Sequence, residues 1–423
     1  MIQEIRIKNY LSFRDEVVLS FEATKDTTFE ECQVANVTPK VRLLRFALIY
    51  GANASGKSNL LKAMDFLRDF WFDKKSDIDE DTGVVPFLLD TETPNEPSEF
   101  NIKFFVGDKR YWYVLVLDDK QVIKEDLYVY NSVQPSLVFS RELDGTASLI
   151  KLNASLVKAN ATIVEQLNVK CLSNMSFFAA RNQVNCSLAY IDEVRDWMKN
   201  NMMPIIEPGT RMFEYAGKQM EKNAELKAYI LDFVHKADYN ITDVYTEREK
   251  VPIPDFVKTS IMEDKDIPEK TKEKMLADNA LERLRTDFQH TVKNKRGEEN
   301  YRLPNSLQSE GTKRTFGIEA AIYEAIKTNG ILPIDEIESS LHPELVEFII
   351  EKFLKEKSRS QLIVTSHYDP LLNTVDDLIR KDSVWFTEKE KDGHTTLYSL
   401  TDFKGLSKIS SFQKSYRNGV FGA

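Results

Sequence analysis

Gly51-Ala52-Asn53-Ala54-Ser55-Gly56-Lys57-Ser58 follows the apolar run Phe46-Ala47-Leu48-Ile49-Tyr50 and precedes a stretch with helical periodicity. The run reads as a buried parallel strand. Beyond Ser58, the residues Leu60, Leu61, Met64, Leu67, Phe70 and Trp71 recur at three- and four-residue spacing, the mark of a helix with one apolar face. Strand, glycine loop and helix in that order form the context a phosphate-binding loop needs. The glycines let backbone N–H groups turn inward onto phosphate oxygens, and the helix brings its positive dipole end to the same place. At average composition the pattern arises by chance in roughly one or two chains per hundred of this length. Within it, Lys57 is placed to reach the β- and γ-phosphates of a nucleotide and the Ser58 hydroxyl to ligate Mg²⁺. Gly51, Asn53, Ala54, Ser55, Gly56 and Asn59 complete the expected ATP-binding set.

Working outward, the residues before the loop alternate (Ile5 and Ile7 beside Arg6 and Lys8) and suggest an edge or early strand. From about 98 to 152 the period is two. Phe100 to Val106 and Tyr111 to Leu117 flank Gly107-Asp108 as a hairpin, and Val122 to Tyr130 and Leu137 to Ser140 continue the antiparallel theme. Residues 187–300 read as mostly helical. Leu226, Ile230, Phe233 and Val234 make one face, and Met275, Leu276, Leu281, Leu284 and Phe288 another; Pro252, Pro254 and Pro268 interrupt the helices. The expected fold is therefore α/β: lobe I over 1–186 with an antiparallel sheet, a helical insertion over 187–300, and lobe II over 301–423.

Lobe II carries the second group of chemical residues. Ile331-Leu332-Pro333-Ile334 reads as a buried strand ending in Asp335-Glu336. An aspartate there can hold Mg²⁺, and the adjacent glutamate can polarise an attacking water. Pro333 lacks a backbone donor, so a bulge is expected in what reads as a central strand. His367 follows the strand Gln361 to Ser366, at the carboxyl end where ligands of open α/β sheets bind. Ser309-x-Gly311 precedes a helical run and is suited to an anion at a helix start. His342, before Pro343, is equally consistent with a helix-start residue and a functional one.

Bulk properties narrow the field. The 423 residues are 42% hydrophobic and 11% aromatic, enough for a substantial core. A net charge of −10 argues against a surface that is wholly a nucleic-acid footprint, leaving only a local basic groove, such as one built from the lysines and arginines of 270–296. Cys32, Cys171 and Cys186 are too few and scattered for a disulfide framework or zinc site. The acidic loop Asp77 to Asp81 lacks calcium-site spacing and reads as a solvated face. No signal-peptide pattern opens the sequence and no apolar run approaches ~18 residues, so a soluble, cytoplasmic chain without a membrane partner is expected.

Taken in order, these elements resemble the ABC-type ATPases of the SMC/RecF/OLD branch. Gly51 to Ser58 corresponds to the Walker A motif, Leu307 to Arg314 to the signature, Asp335-Glu336 to Walker B, Ser339-Ser340-Leu341-His342 to the D-loop and His367 to the switch histidine. Asn9-Tyr10-Leu11-Ser12-Phe13 is similar to the element near that family's adenine pocket, and Gln183 is the candidate for its Q-loop. GANASGKSN, SEGTKR, IDEIESSLHP and the tail from Val384 to Leu400 further resemble the RloA/AbiL-like (PARIS AriA-like) bacterial anti-phage ATPases. The signature departs from L-S-G-G-Q, with Gln308 and Glu310 replacing small residues, so Ser309 and Gly311 carry that correspondence.

The resemblance implies ATP and Mg²⁺ as cofactors and hydrolysis through Glu336 and His367. It implies a homodimer or higher oligomer in which Ser309 and Gly311 act in trans, and a separately encoded effector of the TOPRIM nuclease type. The residues after His367 hold strand-like material, so no fused nuclease is expected among them. Two other readings stay open: a DNA-repair or recombination ATPase of the RecF/SMC kind with DNA as partner, and a nucleotide-dependent scaffold with negligible turnover.

Overall fold

The computed structural model describes residues 1–145, 147–237, 240–264, 269–277 and 280–422. Its strands are β1 (Ile2–Lys8), β2 (Val17–Ser20), β3 (Val34–Thr38), β4 (Val41–Leu44), β5 (Phe46–Gly51), β6 (Ser98–Val106), β7 (Lys109–Leu117), β8 (Val122–Tyr130), β9 (Ser136–Asp144) and β10 (Ala147–Leu152). They continue as β11 (Ile241–Pro252), β12 (Ala280–Asn294), β13 (Gly297–Pro304), β14 (Ile331–Ile334), β15 (Gln361–Thr365), β16 (Val384–Lys389) and β17 (Thr395–Ser399). The chain divides into two compact units. The first holds Met1–Gly209, Glu324–Ser339 and Val346–Ala423; the second holds Thr210–Tyr323 and Ser340–Leu345. The divisions expected at 187 and 301 fall inside these units.

The first unit contains two larger sheets. In the five-stranded sheet, ordered β14-β15-β5-β16-β17, the first four strands run parallel and β17 is antiparallel. All six residues of β5 are buried, which is why that strand reads as an uninterrupted apolar run. The seven-stranded antiparallel sheet has the order β10-β9-β8-β7-β6-β1-β2, with Val106 paired to Lys109 across the expected hairpin. β1 lies between β6 and β2 and is not an edge strand. One apolar core joins Ile5 and Ile7, Phe100 and Ile102, and Leu60, Met64 and Leu67 of helix Lys57–Phe70 to Ala47 and Ile49 of β5. The loop–helix junction is thus anchored from both ends.

Pro333 causes no bulge. β14 pairs with β15 in unbroken register from Ile331 to Ile334, and it is the outermost strand of its sheet. On its other side runs a short flanking segment, where Ile206 N donates to Pro333 O at 3.0 Å and Asp335 N to Ile206 O at 2.8 Å. An edge position needs no donor from residue 333.

A fully buried ion pair sits in the antiparallel sheet. Arg141 Nη1 lies 3.1 Å from Glu125 Oε2, and both side chains have zero exposure. The guanidinium also donates to the carbonyls of Met175 (2.6 Å) and Leu172 (2.8 Å) and to Ser148 Oγ (3.0 Å). The carboxylate accepts from Tyr113 Oη, Ser176 Oγ and Phe177 N. Removing one member strands the other charge in a dry interior. Arg141→Met is expected to lower the unfolding free energy by about 3–5 kcal/mol, read by denaturant titration; a loss under about 1 kcal/mol would contradict this.

The second unit corrects the expectation of a mostly helical insertion. Helix Ala224–Lys236 does bury Leu226, Ile230, Phe233 and Val234 as the periodicity implies. Leu284 and Phe288, however, lie on β12, the central strand of the sheet β11-β12-β13. Thr286 and Phe288 are buried and Arg285 exposed, a strand's alternation. Because the polar Thr286 occupies an inward position, the apolar residues alone mimic helical spacing. Pro252 is the last residue of β11, paired with Ala280, and so ends a strand where a helix break was expected. Pro268 and the side chains of Met275 and Leu281 lie outside the described residues.

Candidate functional site

The loop leaving β5 is shaped by backbone positions that few side chains tolerate. A Cβ at Gly51 would collide with the Thr387 and Ser55 hydroxyls. Gly56 has φ +105°, and its Cβ would stand 2.5 Å from Thr395 Oγ1 and 2.7 Å from Ser12 Oγ. Ala54 between them also has positive φ, +62°. Side chains from distant strands brace the loop. Thr387 Oγ1 donates to Tyr50 O (3.2 Å), which leaves Ser55 Oγ as donor in the 2.6 Å Ser55–Thr387 contact. Thr395 Oγ1 donates to Ser55 O (2.8 Å), and Asn59 Nδ2 to Ser12 Oγ (2.9 Å).

Helix Lys57–Phe70 starts at Gly56, with no side chain capping its first turn. First-turn N–H groups without a side-chain cap are a ready anion site. Lys57 is buried, its Nζ donating to Gly51 O (2.7 Å) and Ala52 O (3.0 Å). Burial pushes its ammonium down to about 8 against the opposing pull of Asp335, Glu336 and Glu338. A buried cation held by two backbone carbonyls at an uncapped helix start is a site suited to a polyanion.

A cavity of about 520 Å³ opens over this loop. Its walls include Asn53 to Asn59, Glu336 and His367, together with Ser12 and Lys389. The phosphate loop, Glu336 and His367 therefore converge: His367 Nε2 lies 3.3 Å from Glu336 Oε1, each side chain about one-third exposed at 34% and 39%. Glu336 has φ +45°, a conformation a non-glycine residue holds only when its surroundings enforce it. The enforcement is visible. Thr365 Oγ1 accepts from Glu336 N (2.8 Å) and donates to Asp335 Oδ1 (2.5 Å), and Ile337 N donates to Thr365 O (3.1 Å). Asp335 is buried beside this network. Ser58 and Asp335 offer a hydroxyl and a carboxylate, an all-oxygen donor set that suits Mg²⁺, so the residues present fit that ion.

The remaining predicted residues lie elsewhere. Ser309 and Gly311 belong to the second unit, as does Ser340, whereas Ser339 is the last residue of its segment in the first. Ser309 Oγ caps helix Glu310–Thr328 by accepting from Thr312 N at 3.0 Å. A Cβ at Gly311 would stand 2.6 Å from Ser340 O, so glycine permits that approach. His342 is exposed at the start of helix Pro343–Lys355. Gln183 is not among the residues lining the loop cavity. Sequence reasoning did not single out Thr365, Thr387, Thr395 or Lys389 as site residues. Thr365 leaves a faint signal, a polar residue closing the apolar strand Gln361–Thr365, whereas Thr387, Lys389 and Thr395 stand among other polar residues and leave none.

This loop, helix and flanking parallel sheet, with an antiparallel subdomain in the same unit, have the architecture of a P-loop nucleotide-binding head. The chain belongs to the family described as "AAA domain, putative AbiEii toxin, Type IV TA system", which matches residues 46–151 and 215–373. That match extends across much of 187–300, beyond the two lobes that carry the resemblance in sequence. No curated protein matches significantly. Among solved structures the chain is similar to the SMC head domain from Thermotoga maritima (12% identity, TM-score 0.44, covering 94% of this chain and 98% of that one). It is also similar to an SmcHead bound to the C-winged helix domain of ScpA (14%, 0.43, 98% and 99%). A third likeness is to an Smc head with an extended coiled coil bound to the C-terminal domain of ScpA, derived from Pyrococcus furiosus (14%, 0.39, 95% and 97%). Likenesses this remote say nothing of what this chain binds. Among the described residues no helix is long and apolar enough to cross a membrane.

Proposed function

We propose that this chain binds and hydrolyses ATP and uses the cycle to control a separate toxic effector in bacterial anti-phage defence. Lys57 and the first-turn N–H groups grip the β- and γ-phosphates. Ser58 and Asp335 are the residues that would hold Mg²⁺, which when bound would supply positive charge against the phosphates. Glu336 orients a water and takes its proton as the water oxygen bonds to the γ-phosphorus and the bond to the β–γ bridging oxygen breaks. His367 steadies Glu336 from 3.3 Å. That convergence of Glu336 and His367 on the cavity lined by the phosphate loop is the observation that carries the reading.

The signature residues Ser309 and Gly311 act on the pocket of a second copy, with Ser339 and Ser340 as the D-loop beside it, so the working unit is a homodimer with two shared sites or a higher oligomer sharing ATP sites. The family description names a putative toxin and a toxin–antitoxin system, which supports the defence role; in this reading a nuclease-like effector is encoded separately and both proteins are cytoplasmic. The test is to purify the chain and follow phosphate release with and without Mg²⁺, then to express it with its neighbouring genes under phage challenge. Mg²⁺-dependent turnover, and protection lost when a nuclease-like neighbour is deleted, are expected. A folded protein with no turnover would sink the enzymatic reading. Protection that survives deletion of every neighbour would sink the effector.

A further inference from the structure

Two loops at the mouth of the cavity are stitched together, and one stitch is a carboxylate with no part in the chemistry assigned above. Glu338 Oε1 accepts from His367 N and also from Tyr368 N, at 3.2 Å for the latter. Tyr368 N is shared with Ser366 Oγ (2.9 Å), Ser366 N donates to Ile49 O (3.1 Å), and Tyr50 Oη donates to Tyr368 O (3.2 Å). Each residue of 366–368 is therefore tied either to β5 or to Glu338. The other oxygen, Glu338 Oε2, is buried without a hydrogen-bond partner among the described residues. An unpaired buried carboxylate oxygen is unfavourable, and such exceptions concentrate where function demands the group.

We propose that Glu338 is a positioning residue. Its carboxylate clamps the backbone of His367 and Tyr368, fixing the His367 ring at the distance from Glu336 at which it can steady that group. This rests on the hydrolysis reading. The clamp sits two residues after Glu336, on the same loop, so any shift of the Walker B loop moves His367 with it. Glu336, locked through Thr365, and His367, locked through Glu338, then act as one rigid pair.

The experiment compares wild type, Glu338→Ala, Glu338→Gln, His367→Ala and the double variant Glu338→Ala/His367→Ala. Hydrogen exchange of the 366–368 amides and steady-state ATP turnover are both read. Glu338→Ala is expected to speed exchange at residues 367 and 368 at least roughly tenfold. It should lower kcat roughly 10- to 100-fold with KM for ATP little changed. The double variant should be no worse than His367→Ala, because Glu338 acts only through that residue. Glu338→Gln keeps an acceptor in place and should retain slow exchange and most of the turnover. Unchanged exchange in Glu338→Ala, or losses that multiply in the double variant, would overturn this proposal alone. No turnover by wild type would overturn the hydrolysis reading and this proposal with it.

Discussion

Glu336→Gln is expected to bind ATP as the wild type does and to lose roughly 10²- to 10⁴-fold in turnover, the range that a positioned general base contributes. Glutamine fills the same volume and leaves the backbone at φ +45° held by Thr365, so the substitution removes basicity and little else. His367 Nε2 can still bond the amide in place of Glu336 Oε1. With hydrolysis blocked, the ATP-bound assembly should accumulate, visible as an ATP-dependent rise in molecular mass by light scattering. Unchanged turnover would remove Glu336 from the reaction; lost turnover without accumulation would separate hydrolysis from assembly.

Lys57→Ala should abolish function one step earlier. A charge-assisted hydrogen bond is worth about 1.5–3 kcal/mol, so ATP affinity should fall roughly 10- to 150-fold. Because the ammonium also meets charge that develops in the transition state, turnover should fall further, by roughly 10³-fold or more in all. The fold should survive. Burial already disfavours the charged Lys57, holding its pKa below the ordinary lysine value, so relief of a buried charge offsets the loss of its hydrogen bonds to Gly51 O and Ala52 O in the nucleotide-free protein. An unchanged melting temperature without ligand, together with loss of the ATP-induced rise, is the expected pair of results. A variant that still melts higher with ATP would mean that Lys57 does not grip the nucleotide.

The parts of the site that were legible in the sequence are those encoded locally. β5, the glycine loop and helix Lys57–Phe70 are consecutive, and a buried strand, a turn and a helix each leave their own periodicity. Glu336 and His367 could be found because each ends an apolar strand. The braces could not, because Thr365 and Thr387 reach the site only through register: Thr365 pairs with Ile49, and Thr387 with Gly51. A parallel sheet joins strands hundreds of residues apart, and one sequence does not state which strands are neighbours. The same gap hid the outermost position of β14 and so produced the expectation of a bulge at Pro333. In the second unit, polar Thr286 in an inward position hid a strand beneath a false helical spacing.

The central claim is that a complete site takes its phosphate grip from one chain and Ser309 and Gly311 from another. It is tested by mixing Lys57→Ala with Ser309→Arg, each inactive alone. In a mixed dimer one pocket joins the intact loop of the Ser309→Arg chain to the intact signature of the Lys57→Ala chain. Equal mixing should therefore restore about a quarter of wild-type turnover in a two-fold dimer. A mixture as inactive as its components at every ratio, with mixed assemblies shown to form, would contradict the shared site.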